Sequence, residues 1–271
     1  MTLACPLDLQ PLTRHARTYS CPSGHSYDIA REGYVNLLTP GRPSRKKAGD
    51  DKESIAARRR FLAAGHYAPL AEALRIVTAT LPNAAVLDVG CGEGYFTGYL
   101  CGDDVCGIDI SAPGIRIAAR AHPTATFAVG NAAALPVVTA SVDVAVSVFA
   151  PVEADEFVRV LARGGHAVIA VPGAEHLATL RARLYETPRP HDEAIPLAGD
   201  PRFDLVARER ISASAVIEAE QALADVLTMT PYRFAVPPEA WARAAATPTP
   251  FETPIAFALA VFRRRASDAA S

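Results

Sequence analysis

The segment VLDVGCGEGYFTGYL (86–100) constrains the fold of this chain more than any other. Its first residues form an almost wholly apolar run, which is typical of a strand covered on both faces. Gly90, Gly92 and Gly94 follow, and glycines let a backbone turn sharply and approach a ligand closely. We expect this turn to open a helix from about Glu93 whose free N–H groups point at the ligand. The pattern predicts a ligand crevice at the carboxyl ends of the strands of a parallel sheet.

Strand and helix patterns alternate after Pro82. Strands are predicted at 85–90, 105–110, 125–130, 142–149 and 166–171, with helices around 114–121, 154–161 and 175–185. Toward the C-terminus, strands are predicted at 203–212 and 255–264, with a helix around 213–224. The alternation predicts an α/β fold whose parallel strands are joined by right-handed crossovers.

Three regions are expected along the chain: a small Cys/His module (1–40), a basic linker and helical segment (41–81), and the α/β domain (82–271). Ser54 is predicted to cap the helical segment, which breaks near Gly65 or Pro69.

Composition excludes several classes of protein. Half of the 271 residues are hydrophobic and 21% are charged, which is enough apolar material for a full core. No apolar run approaches the roughly 18 residues of a membrane span. The beginning MTLACPLDLQPLTRHAR lacks the pattern of a signal peptide. We therefore expect a soluble cytoplasmic protein that makes no contact with a membrane.

Positive charge is concentrated in one stretch, although the net charge is only −2. The stretch contains Arg42, Arg45, Lys46, Lys47, Arg58, Arg59 and Arg60. Two interpretations stay open from charge alone: a solvated linker followed by a solvated helix face, or a contact with phosphates.

The acidic residues around the glycine turn distinguish between ligand classes. A dinucleotide-binding turn needs a glycine at position 95, where this chain has Tyr95. Asp88 precedes the glycines instead, and the D-x-G-x-G-x-G pattern resembles motif I of class I methyltransferases that use S-adenosylmethionine (SAM). Asp109 ends the next predicted strand, about twenty residues after the first glycine, where a carboxylate can accept both ribose hydroxyl protons.

Two further strand ends are candidate ligand contacts. Asn131 follows the third strand, where this superfamily usually reads the adenine edge, and an ordinary loop asparagine is the alternative. Phe149 and Pro151 follow the fourth strand, where the methyl-accepting substrate normally meets the sulfonium. An apolar strand end is the alternative there.

The N-terminal module contains a candidate metal site. Cys5, Cys21 and His25 have the spacing of a split zinc site, and zinc takes four N, S or O ligands in tetrahedral geometry. The fourth position by spacing holds Asp8, and His15 is an alternative fourth ligand. A module without metal is the competing interpretation.

Several segments together resemble the bacterial 23S rRNA (guanine-N1)-methyltransferases, a group that includes resistance enzymes against tylosin-type macrolides. They are CPLDLQPL, YSCPSGHSYDIAREGYVNLL, ARRRFLAAGHYAPL, VLDVGCGEGYFT, FAP (149–151), GAEHL (173–177) and MTPY (229–232). The resemblance implies a Rossmann-like class I methyltransferase with a mostly parallel seven-stranded sheet, preceded by a small zinc-ribbon-like module. It also implies a homodimer whose basic clefts grip a hairpin in domain II of the rRNA.

The resemblance also implies roles for single residues. Tyr67, Phe96, Thr97 and His176 match family positions that contact SAM, alongside Asp88, Asp109, Asn131 and the three glycines. Cys5, Cys21 and His25 match three zinc ligands, with Asp8 in place of the fourth. The substrate contacts expected are Arg45, Lys46, Lys47, Arg58, Arg59, Phe149 and Pro151.

The implied methyl transfer to guanine N1 needs a proton acceptor, and the sequence does not assign this role to one residue. Guanine N1 carries a proton at neutral pH, so attack on the methyl group needs loss of that proton, and the base must leave its stack. His66, His176 and Glu93 are candidates for a proton acceptor by location, and solvent is the alternative. A paralogue that methylates a small biosynthetic substrate is the competing function, and an RNA-binding module without methyl transfer is a third.

Overall fold

The computed structural model describes residues 1–39 and 51–266. Its strands are β1 (Thr13–Arg14), β2 (Thr18–Ser20), β3 (Ser26–Asp28), β4 (Val35–Asn36), β5 (Ala85–Val89), β6 (Asp104–Asp109), β7 (Thr126–Val129), β8 (Val142–Val148), β9 (Leu161–Pro172), β10 (Phe203–Ile217) and β11 (Phe251–Arg264). Its α-helices are α1 (Lys52–Ala63), α2 (Ala68–Thr80), α3 (Ala112–Ala121), α4 (Ala154–Val160), α5 (Ala178–Leu184), α6 (Glu220–Met229), α7 (Tyr232–Ala235) and α8 (Pro238–Ala245).

In the described part of the chain, a central sheet of eight strands has the order β10-β11-β9-β8-β5-β6-β7-β4. Strands β4 to β9 within it run parallel to one another, whereas β11 pairs antiparallel with both β9 and β10. The class I methyltransferase fold is confirmed, and the expected count of seven strands is wrong by one. The extra strand arises because Val35 of the N-terminal segment pairs with Ala128 at the sheet edge.

The middle of the sheet is buried on both faces, as its apolar runs predict. All five residues of β5 are buried. Val86 faces the side covered by Leu70 of α2, and Leu87 faces the side covered by Phe157 of α4. Because neighbouring residues of a strand point to opposite faces, an apolar run without alternation fits only this doubly covered position.

The N-terminal segment folds onto the same sheet. Strands β1, β2 and β3 form a small antiparallel sheet, and the Ala4 N–H donates to the Pro136 carbonyl at 2.9 Å. Tyr19 and Cys21 are buried in one apolar cluster with Leu87 of β5. Core packing between the module and the sheet therefore holds them together. The division at residues 40 and 81 stays a prediction.

Three local expectations are wrong. The helix expected from Glu93 is a single 3-10 turn, Phe96–Tyr99; Gly98 and Gly102 disfavour a longer helix, since glycine is a poor helix former. The cap of α1 is Asp51, whose side chain accepts from the Ser54 N–H at 2.8 Å, and not Ser54.

The helix expected around 213–224 also begins later than predicted. Strand β10 continues to Ile217, because the alternately buried Ile211, Ala215 and Ile217 pair with β11. The helix proper, α6, begins at Glu220.

No helix within residues 1–39 and 51–266 combines the length and the apolar character needed to cross a bilayer.

We predict that Glu156 stabilises the loop that follows β7. Its carboxylate accepts from the Leu135 N–H at 2.6 Å and from Arg159. Burial acts to raise its pKa, but these hydrogen bonds outweigh burial and lower the pKa below 4.5. Glu156→Gln should therefore lower the free energy of unfolding by about 1–2 kcal/mol near neutral pH, measured by urea denaturation.

The pH dependence of that effect has a defined sign. A carboxyl whose pKa is lowered by folding contributes its full stabilisation above the unfolded pKa and loses it as the pH falls through the folded pKa. The difference between wild type and Glu156→Gln should thus shrink below about pH 4. Glu239→Gln, at an exposed position, is the control, and an equal effect of both variants would contradict the prediction.

Candidate active site and metal centre

The glycine turn lies at the carboxyl end of β5, as predicted. Gly90, Gly92 and Gly94 have φ values of 77°, 55° and 83°, a region that favours glycine. A Cβ on Gly90 would lie 2.3 Å from the Ala150 Cβ, and one on Gly94 would lie 2.9 Å from the Ala118 Cβ. The first and third glycines therefore allow close packing against the end of β8 and against α3.

Asp109 fixes the shape of this turn from the neighbouring strand. One carboxylate oxygen accepts from the Gly92 N–H at 3.0 Å, and the other accepts from the Ser111 N–H at 2.7 Å. The side chain is half-buried. A carboxylate has about four lone-pair directions, so these two bonds orient it and still allow it to accept from the hydroxyls of a ligand.

Asp88 lies below the turn and is buried. The Thr97 hydroxyl donates to its carboxylate at 2.6 Å. Burial raises the pKa of Asp88 to about 7; the Thr97 bond opposes this, and the negative charges of Asp109 and Glu93 add to it. A cationic group bound nearby would favour the ionised carboxylate, because opposite charges stabilise each other in a buried site.

Tyr67 and His176 form a buried hydrogen-bonded pair, with 2.9 Å between the phenol oxygen and Nε2. The Ala256 N–H donates to Nδ1 of His176 at 3.3 Å. Burial lowers the pKa of His176 to about 3, so the ring is neutral near pH 7. Since Nδ1 accepts, Nε2 carries the ring proton and donates to Tyr67. The tyrosine proton is thereby directed to a third group.

Phe149 follows β8 in a left-handed conformation, with φ of 56° and 40% of its surface exposed. Its ring lies 6.0 Å from the ring of Tyr67, 5.5 Å from that of Phe257 and 6.2 Å from that of Phe96. A large residue in this backbone region is strained, and such strain is concentrated at functional sites. The arrangement presents an aromatic ring to solvent at the mouth of the crevice, next to the exposed Pro151.

The other predicted ligand and substrate contacts differ in their surroundings. Asn131 follows β7 as expected, but its side-chain oxygen accepts from the Ala133 N–H at 3.0 Å and so holds a local turn. Arg59 is exposed on α1, whereas Arg58 points to Glu93 at the glycine turn, with 3.6 Å between Nη1 and Oε2. Arg45, Lys46 and Lys47 lie outside the described residues.

Arg181 is a component of the site that sequence reasoning missed. It is buried on α5 and donates to the carbonyls of His176 at 3.0 Å and Ala174 at 2.6 Å, and also to that of Arg189. It thereby fixes the loop that carries His176. An arginine on a predicted helix gives no signal of this role, because its acceptors are backbone carbonyls.

The four predicted metal ligands come together. The candidate donor atoms of Cys5, Asp8, Cys21 and His25 all lie within 4.8 Å of one another. Nδ1 of His25 is 3.4 Å from the Cys5 sulfur, 3.3 Å from the Cys21 sulfur and 3.3 Å from the Asp8 carboxylate. The side chain of His15 bonds instead to Ser20 at 2.8 Å.

These separations fit zinc. Bonds of about 2.0–2.3 Å at tetrahedral angles place ligand atoms about 3.3–3.8 Å apart, and the Cys21 sulfur lies 3.6 Å from the Asp8 carboxylate. Two thiolates, an imidazole and a carboxylate are all zinc-binding groups. The Tyr27 hydroxyl lies 3.1 Å from the Cys5 sulfur, where it can support that ligand from outside the set.

Comparison with known proteins decides the family. Residues 3–47 match the family described as "RlmA, N-terminal", a zinc ribbon, and residues 86–165 match the family described as "Methyltransferase domain". The 23S rRNA (guanine(748)-N(1))-methyltransferase of Streptomyces fradiae is 38% identical over 255 residues, which is 89% of each chain. The chain belongs to the 23S rRNA (guanine-N1)-methyltransferase family. It is a SAM-dependent methyltransferase with an N-terminal zinc-ribbon domain.

A second member of the family supports the same assignment. A protein of Micromonospora griseorubida assigned to the 23S rRNA (guanine-N(1)-)-methyltransferases is 42% identical over 208 residues, covering 67% of this chain and 69% of that one.

We predict that Asp109→Ala weakens the affinity for S-adenosylhomocysteine at least about tenfold. The substitution removes both the acceptor for the ribose hydroxyls and the bond that shapes Gly92. Isothermal titration calorimetry gives the affinity. Asp104→Ala, at the opposite end of the same strand, is the control, and unchanged affinity of Asp109→Ala would contradict the predicted site.

We predict that zinc copurifies with the chain and that Asp8 is a ligand. Asp8→Ala should lose zinc during dialysis against EDTA at a chelator concentration at least about tenfold lower than wild type requires, whereas Asp8→Cys should retain it longer. Metal content is measured by inductively coupled plasma mass spectrometry. Asp28→Ala, at an exposed position of β3, is the control; equal retention by Asp8→Ala and wild type would exclude Asp8 as a ligand.

Proposed function

We propose that this chain transfers a methyl group from SAM to N1 of a guanine in a hairpin of domain II of 23S rRNA. The observation that carries the proposal is the similarity to the Streptomyces fradiae enzyme, which spans both the zinc ribbon and the methyltransferase domain. The competing function, methylation of a small biosynthetic molecule, gives no reason for a zinc ribbon packed against the sheet.

The proposed SAM site consists of the groups around the glycine turn. They are Tyr67, Asp88, Gly90, Gly92, Gly94, Phe96, Thr97, Asp109, Asn131 and His176. When bound, SAM supplies an electrophilic methyl group on a sulfonium. Asp109 would accept from the ribose hydroxyls of SAM, and the Tyr67 hydroxyl, oriented by His176, would donate to the bound SAM.

The methyl acceptor is proposed to lie on Phe149. A guanine must leave its stack to reach the crevice, and an exposed aromatic ring offers the stacking surface that it loses. Pro151 borders the same surface. The backbone strain at Phe149 is consistent with a ring held for this purpose.

The surroundings of the three candidate side chains argue against each of them as the acceptor of the guanine N1 proton. His176 is a poor acceptor, since its pKa is about 3 and Nδ1 is engaged with the backbone. His66 packs against Phe61 with 4.4 Å between ring centroids, and burial lowers its pKa. The Glu93 carboxylate already pairs with Arg58. We therefore propose that positioning carries the rate and that the proton passes to solvent.

The RNA contacts beyond the target base are proposals from sequence. Arg59 is exposed on α1 and can reach phosphates, and Arg45, Lys46 and Lys47 belong to the same basic stretch. The homodimer and the cytoplasmic location stay predictions. Resistance to tylosin-type macrolides is also a prediction, and it can be tested by measuring the macrolide susceptibility of a host that expresses the chain.

We predict that the protein, incubated with SAM and unmodified 23S rRNA, produces one new stop in primer extension at a guanine. Methylation of N1 blocks Watson–Crick pairing, so reverse transcriptase halts there. A reaction with S-adenosylhomocysteine in place of SAM is the control. Absence of a stop at any guanine, with SAM binding intact, would contradict the proposed substrate.

We predict that Phe149→Ala lowers kcat/KM for the rRNA about tenfold or more and leaves the affinity for S-adenosylhomocysteine within about twofold. Loss of one base–aromatic stack costs about 1–3 kcal/mol. Phe234→Ala removes another exposed ring, on α7, and is the matched control. Equal rates for the two variants would exclude Phe149 as the base-stacking surface.

A further inference from the structure

Three consecutive arginines on α1 have three different environments. Arg59 is exposed. Arg60 makes a two-pronged bond to the buried carboxylate of Asp225, with distances of 2.9 and 2.6 Å. Arg58 lies at the crevice, with only 27% of its side chain exposed. The basic run is therefore not one uniform phosphate-binding surface.

The Arg58 guanidinium lies over the glycine turn. Its Nη1 atom is 3.5 Å from the point that a Cβ on Gly92 would occupy and 3.6 Å from Oε2 of Glu93, whose side chain is 6% exposed. Burial is the main cause that raises the pKa of Tyr67, and the positive charge of Arg58 acts on that pKa in the opposite direction. The Arg58 guanidinium is thus close to the glycine turn, and its charge also acts on the buried phenol of Tyr67.

The amino-acid part of SAM would lie in this region. If Asp109 holds the ribose and the methyl group is directed toward Phe149 after β8, the α-carboxylate would come close to the glycine turn and Tyr67. A guanidinium has five donors in a planar fork and can hold Glu93 along one edge and a second carboxylate along another.

We propose that Arg58 binds the α-carboxylate of SAM and that Glu93 holds the guanidinium in place over the turn. The assignment replaces the expectation that Arg58 binds an rRNA phosphate. It rests on the donor site alone and not on the identity of the methyl acceptor.

Two nucleosides that differ in the amino-acid part test this assignment without RNA. S-adenosylhomocysteine carries the α-carboxylate, and 5′-methylthioadenosine lacks it while keeping the adenine, the ribose and the sulfur. Calorimetric titration of the full chain with each ligand gives both affinities. Arg58→Met keeps the aliphatic stem, Arg58→Lys keeps the charge but loses the fork, and Arg59→Met is the matched control.

We expect Arg58→Met to weaken the affinity for S-adenosylhomocysteine about tenfold to one hundredfold and to leave the affinity for 5′-methylthioadenosine within about twofold of wild type. Arg58→Lys should show a smaller loss for the first ligand only, and Arg59→Met should change neither affinity.

Two outcomes would overturn the assignment. Equal losses for both ligands in Arg58→Met and Arg58→Lys would mean that the residue only supports the turn. Unchanged affinity for both ligands, with weaker and less salt-dependent rRNA binding, would return Arg58 to the phosphate contacts. Because the titrations contain no RNA, a failure of the proposed rRNA substrate leaves their result intact.

Discussion

The bond between the Asp109 carboxylate and the Gly92 N–H is the interaction on which the active site depends. It ties the end of β6 to the turn after β5, so two neighbouring strands define one ligand surface. A turn made of glycines loses much conformational freedom on folding, and a charged acceptor at 3.0 Å compensates for part of that cost. The same carboxylate is the acceptor proposed for the ribose, which links the shape of the turn to recognition of the donor.

Sequence reasoning found the features that follow from local chemistry. The run at β5, the three glycines and the two aspartates are recognisable because strand burial, backbone freedom and charge each leave a pattern over a few residues. The metal-site residues Cys5, Asp8, Cys21 and His25 are recognisable by their spacing, and the structure brings their donor atoms within 4.8 Å of one another.

The parts that sequence reasoning missed depend on distant segments. Arg181 acts through carbonyls, and Arg58 was grouped with Arg59 because adjacent residues on a helix share a charge pattern although they point in different directions. Strand β4 could not be expected either, since two residues form it and a distant sheet edge supplies its partner. No helix-start signal reveals the 3-10 turn at Phe96–Tyr99 either, which Gly98 and Gly102 keep short.

The charges around the crevice suit a cationic donor. Asp88, Glu93 and Asp109 surround the turn, and the negative charges of the last two help to raise the pKa of Asp88. SAM carries a sulfonium and an ammonium against one carboxylate, whereas the product has lost the sulfonium charge. An acidic crevice therefore binds the donor more favourably than the product, by a purely electrostatic difference. His176, a proposed SAM contact, is kept neutral by burial and so adds no positive charge that would oppose this preference.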